Sequence, residues 1–387
     1  MSQRRVARGC SWHAGAAAWV LFLGLAALLS ACSGEEAASR SDSTVTPVAS
    51  SALAVPVPLA VNTSGNRIYV ASESPDTIFV IDGASNAVVA TLPAGLFSHA
   101  IDVDPRSNRI YVASGRSKLW VVDGATNGVD ASIALGASPL ALAVNPDARR
   151  VYVADFDGTL SVIDGESSAV VATLPVGQNP VAMAVNPSTG RIYVATYGSP
   201  EISVIDGETN SVVAKVSVGE LPIAVAASPE TNRIYVADGA AGNVAVIDGS
   251  TNSLIASVKL GGMPSSLALN PATDRIYVAE AGTNVISVLD GASNAVIGTV
   301  AVGVPPRGLA VNAVTNRIYV ARSLTADVLV IDGTTNAIIA TVALADASEQ
   351  PAVGVRKSFR PGGPAAAPNP TEQSTTIRTA AALARLT

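Results

Sequence analysis

The chain contains a unit of 41 or 42 residues that recurs seven times, and this periodicity constrains the fold more than any other feature. The segment Arg-Ile-Tyr-Val-Ala, or a near copy, places its tyrosine at Tyr69, Tyr111, Tyr152, Tyr193, Tyr235, Tyr277 and Tyr319. A second marker, Asp-Gly after Val and Ile, places its aspartate at Asp82, Asp123, Asp164, Asp206, Asp248, Asp290 and Asp332. The chain therefore builds one supersecondary unit repeatedly.

Each unit contains four short β-rich runs. The unit that begins at Pro180 continues with runs from Arg191, Ile202 and Val212, separated by Asn, Pro, Gly, Ser and Thr. Such runs predict a four-stranded antiparallel meander, and their period-2 pattern excludes a helical solenoid. Both faces of the first two strands are apolar, which is typical of a blade packed between neighbours. The sequence predicts an all-β, seven-bladed β-propeller of four-stranded antiparallel blades.

These residues resemble the YVTN-type β-propeller repeat family, whose units run Pro-x-x-(Ala/Leu)-x-Asn-Pro, Arg-Ile-Tyr-Val, Val-Ile-Asp and Val-x-Val-Gly. The resemblance covers residues 53–346, although Ala follows Tyr-Val here instead of the family's Thr. We expect the propeller to span residues 53–355 and the Pro- and Ala-rich residues 356–387 to form a disordered tail. Pro351-Ala-Val-Gly-Val resembles the start of an eighth unit, which could overlay the first blade and latch the ring.

Residues present in every unit are interpreted as structural. The Asp-Gly pairs are expected at turns where glycine adopts a positive φ. The arginine before each Ile-Tyr-Val is expected to bond carbonyl groups or the Asp-Gly aspartates. Function should then lie where the units differ.

The N-terminal residues predict export and lipid anchoring. Three arginines precede the apolar stretch 14–29, which predicts a signal peptide over residues 1–31. The run Leu29-Ser30-Ala31-Cys32 resembles the bacterial lipobox, which implies lipidation of Cys32, and Ser33 after it implies the outer membrane of the cell envelope. Residues 32–52 are small and polar and predict a flexible tether.

Charge and motif content exclude several classes of function. Cleavage before Cys32 would leave 21 basic and 30 acidic residues, a net charge of −9, which argues against nucleic-acid binding. The two cysteines allow no disulfide framework, and no phosphate-binding loop or dinucleotide fingerprint is present. We predict no cofactor, no bound metal and a monomeric protein.

The candidate ligand-binding residues lie at two repeat positions near the predicted channel mouth. The position after the repeat's proline holds His99 and Arg307, and the position after Tyr-Val-Ala holds Asp155, Asp238, Glu280 and Arg322. Acidic residues gather on the third to sixth units and basic residues on the seventh and second, which suggests a dipolar rim. Solvated loop charge is the alternative interpretation.

His99 and Asp102 form the remaining candidate pair. His99 is the only histidine after residue 32, and Asp102 replaces an alanine found in the other six units. A separation of three residues along a strand predicts opposite faces, which argues against a catalytic dyad. The Asp102 carboxylate should mark either a local ion pair or a site.

Two functions remain from the sequence alone. The first is a non-enzymatic, lipid-anchored binding or scaffold module that uses its variable rim to bind a protein, peptide or glycan. The alternative is a metal-dependent hydrolase or lactonase-like enzyme with a divalent metal held by Asp155, Asp238 and Glu280.

Overall fold

A computed structural model of the chain describes residues 56–73, 76–93, 98–115, 117–322 and 325–344. The chain divides into the units Met1–Ser50 and Ser51–Thr387, and every described residue belongs to the second. The predicted signal peptide, Cys32, the tether, the Pro351 segment and the C-terminal tail all lie outside the described residues.

Twenty-eight strands form seven four-stranded sheets, each a blade in which consecutive strands pair antiparallel. Blade 1 comprises β1 (Pro56–Asn62), β2 (Arg67–Glu73), β3 (Asp76–Asp82) and β4 (Ala87–Pro93). Blade 2 comprises β5 (Ser98–Asp104), β6 (Arg109–Ser114), β7 (Lys118–Asp123) and β8 (Val129–Ala134). Blade 3 comprises β9 (Pro139–Asn145), β10 (Arg150–Asp155), β11 (Thr159–Asp164) and β12 (Val170–Pro175). Blade 4 comprises β13 (Pro180–Asn186), β14 (Arg191–Thr196), β15 (Glu201–Asp206) and β16 (Ser211–Ser217). Blade 5 comprises β17 (Pro222–Ser228), β18 (Arg233–Asp238), β19 (Asn243–Asp248) and β20 (Ser253–Lys259). Blade 6 comprises β21 (Pro264–Asn270), β22 (Arg275–Glu280), β23 (Val285–Asp290) and β24 (Val296–Ala301). Blade 7 comprises β25 (Pro306–Asn312), β26 (Arg317–Arg322), β27 (Asp327–Asp332) and β28 (Ile338–Ala343).

Burial follows from the position of each strand in its blade. The second and third strands are buried on both faces, as in β14 and β15, because neighbouring blades cover them. The fourth strand faces solvent over most of its length, as in β16. All seven repeat tyrosines are at most 1% exposed and lie between blades. The seven-bladed propeller is thus confirmed, and no helix occurs among the described residues, so none there could cross a membrane.

Blade 7 packs directly on blade 1 and closes the ring. The first strands of successive blades contact one another around the centre, and β25 contacts β1. Tyr319 and Val328 of blade 7 share a hydrophobic cluster with Ile68 and Phe79 of blade 1. Each blade draws its four strands from one continuous segment, so the described ring closes without exchange of a strand.

An asparagine interlock joins blades on the lower face, which carries the turns between first and second strands and between third and fourth strands. In four of the described interfaces, the asparagine that ends a first strand donates its Nδ2 to the Oδ1 of a turn asparagine in the next blade. These bonds are Asn62 to Asn108 (2.5 Å), Asn186 to Asn232 (2.8 Å), Asn270 to Asn316 (2.8 Å) and Asn312 to Asn66 (2.9 Å). The last bond spans the ring closure.

The repeat arginines add a second link on the same face. Five of them donate to the Asp-Gly glycine carbonyl of the next blade: Arg109 to Gly165, Arg191 to Gly249, Arg233 to Gly291, Arg275 to Gly333 and Arg317 to Gly83. Arg67 and Arg150 instead pair with Asp82 and Asp164 of their own blades. Both kinds of partner agree with the expected structural role.

The reason expected for the Asp-Gly glycines is wrong. None of them has a positive φ; the positive φ falls three residues later, at positions such as Asn210 and Asn252. Glycine is required because the turn between the first and second strands of the same blade lies against its Cα. A Cβ at Gly249 would lie 2.7 Å from the carbonyl oxygen of Asn232 and would also clash with its Oδ1.

Candidate functional site

A ring of β-bulges forms the mouth of the channel on the upper face, at the end opposite the interlock. In every blade the register of the first strand shifts directly after its first residue, for example between Ser98 and Ala100 in β5. A bulge inserts an unpaired residue and redirects its side chain. The bulged residues of blades 2 to 7 are His99, Leu140, Val181, Ile223, Ser265 and Arg307.

The mouth combines one imidazole, one guanidinium and an aliphatic arc. His99 is half-buried on β5, and Arg307 is exposed on β25, two blades away with blade 1 between them. The aliphatic arc consists of Leu140, Val181 and Ile223, which are half-buried. Bulges are invisible to an alternation pattern, so sequence reasoning found these residues without recognising the extra residue that places them at the upper ends of the first strands.

The bulge reverses the expected relation between His99 and Asp102. In blade 4, the bulged Val181 and the next residue Ala182 both pack toward blade 5, whereas Met183 packs toward blade 3. By the same register, His99 shares its side of β5 with Ala100 and Asp102, because the extra residue cancels one step of alternation. The prediction of opposite faces is therefore wrong.

The Asp102 carboxylate bridges the first strands of two blades. Its Oδ1 accepts the N–H of Val103 (2.8 Å), and its Oδ2 accepts the N–H of Val144 in β9 (2.9 Å). Burial raises the pKa of Asp102 to about 6, and the Asp104 carboxylate adds to the increase. The two N–H donors act in the opposite direction and lower the pKa. Within the described residues it forms hydrogen bonds rather than the predicted ion pair.

The other candidate residues end the second strands of their blades and are largely buried. Asp155, Asp238 and Glu280 are 1%, 0% and 1% exposed. Each lies opposite the proline that begins its blade, for example Asp238 opposite Pro222. They therefore lie beneath the upper rim, at the base of its loops.

Three of these residues hold the upper loops. Asp238 accepts four backbone N–H groups, those of residues 220, 221, 240 and 241, at 2.8–3.1 Å. Glu280 accepts the hydroxyls of Thr283 (3.0 Å) and Ser287. Arg322 pairs with Asp327 and donates to the Val302 carbonyl at 3.0 Å. A structural use of each side chain is thus visible, while ligand binding by them stays a prediction.

Asp155 occupies the same position in blade 3 without such partners. Neither carboxylate oxygen accepts a well-formed hydrogen bond in the described part of the chain. Burial and then the Asp157 carboxylate raise the pKa of Asp155 to about 7, against a smaller opposing effect of the nearby N–H of Ala137. Among the described residues, no three His, Cys, Asp or Glu side chains come close enough to hold a metal ion, so Asp155, Asp238 and Glu280 are not brought together as the metal alternative required.

Comparison with known proteins gives one family match. The model of the family "Cytochrome D1 heme domain" matches residues 104–231, which span blades 3 and 4 with parts of blades 2 and 5. The search of curated proteins gives no match.

Two solved structures show the same fold. Hydrazine synthase of Kuenenia stuttgartiensis is similar with a TM-score of 0.66 and 18% identity, over 76% of this chain and 99% of that one. The dihydro-heme d1 dehydrogenase NirN, in complex with DHE, is similar with a TM-score of 0.58 and 20% identity, over 73% of this chain and 64% of that one.

These findings correct the predicted function. The expected non-enzymatic binding or scaffold module is contradicted, because the family model that matches residues 104–231 is a heme domain. This match favours the enzyme alternative over that function.

Proposed function

We propose that the propeller is an enzyme-type domain that binds a heme-like tetrapyrrole at the bulge ring on its upper face. The family match points to this class of ligand. The observation that carries the proposal is the placement of His99 on the bulge of β5, at the channel mouth, where a half-buried imidazole can coordinate iron.

The other residues of the bulge ring fit such a ligand. The aliphatic arc of Leu140, Val181 and Ile223 offers apolar surface to a macrocycle. The exposed guanidinium of Arg307 can pair with a peripheral carboxylate of the ligand, as arginine does with carboxylates generally. The nitrogen donor His99, the apolar surface and the cation Arg307 thus occupy the same register position in different blades.

The chain's own residues would hold the ligand and a proton. His99 would hold the iron of the ligand through its imidazole, and Arg307 would bind a carboxylate of the ligand. Asp102, on the same side of β5 as His99, can hold a proton on its carboxyl group below about pH 6, since its pKa is raised to about 6. The bound tetrapyrrole would supply redox chemistry at its iron.

Titration of the full-length protein with hemin tests the proposal. We expect a saturable Soret band at one hemin per chain. The His99→Ala variant should lose the band typical of histidine ligation, and Arg307→Ala should weaken binding roughly tenfold because a charge-assisted contact is lost.

Ile297→Ala is the control, since Ile297 is a half-exposed aliphatic residue on the outer strand β24, away from the bulge ring, and cannot ligate iron. It should keep the wild-type spectrum. An unchanged spectrum and affinity in His99→Ala, or no saturable binding by the wild type, would refute the proposal.

Membrane attachment is a separate proposal, supported by the YVTN-type repeat pattern carried behind the lipobox-like run Leu29–Cys32. We propose a lipid-anchored envelope protein modified at Cys32. Labelled palmitate should be incorporated into the wild type and not into Cys32→Ala, which should also leave the membrane fraction. Retention of label by the variant would contradict this.

A further inference from the structure

The interface between blades 3 and 4 lacks both lower-face links. At the turn position that holds Asn66, Asn108, Asn232 and Asn316 in other blades, blade 4 has Gly190. Arg150, which would reach the Gly207 carbonyl, pairs instead with Asp164 of its own blade. Among the described interfaces, this is the one where the turn side chain and the arginine link are both missing.

A cavity of about 520 Å³ occupies the vacated space. Its walls include Asn145 and Tyr152 of blade 3 and Gly190, Asp206 and Gly207 of blade 4. A Cβ built on Gly190 would meet no atom within 4 Å, so the space begins directly at its Cα. The volume lies within the range of roughly 300–1,000 Å³ that small-molecule sites occupy.

Polar groups of two buried residues line this space. Asn145 is 1% exposed; its Oδ1 accepts the N–H groups of Asp147 (3.1 Å) and Ala148 (3.2 Å), while its Nδ2 donates to no acceptor among the described residues. In four other interfaces the equivalent Nδ2 donates to a turn asparagine. The hydroxyl of Tyr152 lines the same space beside Gly207.

We propose that this cavity is a binding site for a small neutral ligand that bears a carboxamide, and that an N-acetylated amino sugar fits it. The carbonyl oxygen of the acetamido group would accept from Asn145 Nδ2, as the turn asparagine Oδ1 does in other interfaces, and would lie beside the hydroxyl of Tyr152. The site is on the lower face, away from the bulge ring, and does not depend on tetrapyrrole binding.

The outer walls of the cavity favour hydroxyl groups over anions. The carboxylates of Asp206 and Glu208 can accept from sugar hydroxyls and repel a negatively charged ligand. The Arg150 guanidinium is paired with Asp164, which leaves less positive charge for an anion. Val171, 50% exposed beside these residues, offers apolar contact to a sugar ring.

Ligand-observed NMR with the full-length protein tests the site with N-acetylglucosamine as the probe. We expect saturable binding in the millimolar range, with the strongest saturation transfer at the acetamido methyl group. Glucose, which lacks the amide, and acetate, which is an anion, should bind at least about tenfold more weakly.

Gly190→Asn fills the cavity with the side chain that other blades carry. It should fold normally, since asparagine has φ values of 48–57° at the four equivalent positions and Gly190 has 65°. Its side chain should bond Asn145 and weaken N-acetylglucosamine binding at least about tenfold. Gly198→Asn is the matched control: Gly198 also has a positive φ and open space at its Cβ, but lies on the upper side of the same blade.

The proposal is overturned if Gly190→Asn melts at the wild-type temperature or above and still binds N-acetylglucosamine as the wild type does. Equal binding of glucose would remove the carboxamide argument, and absence of saturable binding to the wild type would remove the site. Loss of binding in Gly198→Asn would show that the effect is not local to the cavity.

Discussion

The buried carboxyl group of Asp155 should make the propeller less stable as the pH rises from about 4 to about 7. Burial and the Asp157 carboxylate raise its pKa from 3.8 to about 7 in the folded chain. In the unfolded chain the group ionises near its ordinary value. Between these two pH values the folded state binds one proton more than the unfolded state, so the free energy of unfolding falls as the pH rises and reaches its lower level above pH 7.

The size of the effect follows from the pKa difference. A rise of about three units corresponds to roughly 4 kcal/mol of lost stability once both states are ionised. Asp155 is 1% exposed and its oxygens lack partners, so little solvent screening reduces this figure. Asp155→Asn cannot ionise, and we expect it to unfold at a higher denaturant concentration than the wild type at about pH 8.

Asp238→Asn is the matched control because Asp238 ends the second strand of blade 5 as Asp155 ends that of blade 3. The backbone N–H groups that it accepts outweigh burial and lower its pKa. Its contribution is therefore present above pH 4 and is lost as the pH falls through the lowered pKa. The control should lose at least about 2 kcal/mol at pH 7, since bonds to an ionised acceptor are removed.

Urea denaturation followed by circular dichroism at about pH 4, 6 and 8 measures both variants against the wild type. The two substitutions should change stability with opposite signs at pH 8. If Asp155→Asn keeps the pH dependence of the wild type and is no more stable at pH 8, the carboxyl group is not held in an apolar environment and the reasoning fails.

Three further predictions concern the ring. Gly249→Ala should lower stability by about 1–3 kcal/mol, because its Cβ meets Asn232; an unchanged melting temperature would contradict the close approach. Arg317→Ala should lower the free energy of unfolding by about 1 kcal/mol, seen as a lower urea midpoint, because the bond of Arg317 to the Gly83 carbonyl links blade 7 to blade 1. An unchanged midpoint would show that apolar packing alone closes the ring. Asp102→Ala should reduce, but not abolish, the loss of stability between pH 4 and about 6 measured by urea titration, because Asp155 contributes over the same range; an undiminished loss would contradict the raised pKa of Asp102.

Repetition made the blades predictable from the sequence. Tyr235 and Asp248 belong to markers whose spacing counts the units, and alternation of small and large apolar residues identifies strands packed on both faces. Ring closure was not predictable, since no local pattern says that blade 7 contacts blade 1 through Arg317 and Asn312.

The errors concern residues whose role depends on a neighbour distant in sequence. The glycine of an Asp-Gly pair suggests a positive φ, yet at Gly249 it makes room for Asn232. Alternation along β5 suggests opposite faces for His99 and Asp102, yet one extra residue reverses the result. Both features are set by backbone register, which single residue types do not encode.

Asp155 and Asp238 show why identical residues at one repeat position can differ in chemistry. The loop after Asp238 continues to Asn243 and turns two N–H groups back onto the carboxylate. The loop after Asp155 is one residue shorter and ends at Thr159, so no N–H of that loop bonds the carboxylate. The number of backbone N–H groups that the adjacent loops turn onto the carboxylate, rather than the aspartate itself, separates the lowered pKa of Asp238 from the raised pKa of Asp155.

The same logic explains why an absent side chain can indicate a site better than an added charge. Added charges on this scaffold, such as Asp238 and Arg322, find partners in adjacent loops, because the upper loops present many free N–H and C=O groups. Removal of the turn side chain at Gly190 cannot be compensated locally, since the donor Asn145 belongs to another blade and is held in place by its own turn. The unsatisfied donor is then available to an external acceptor, and an alignment of the seven units reveals that position from the sequence alone.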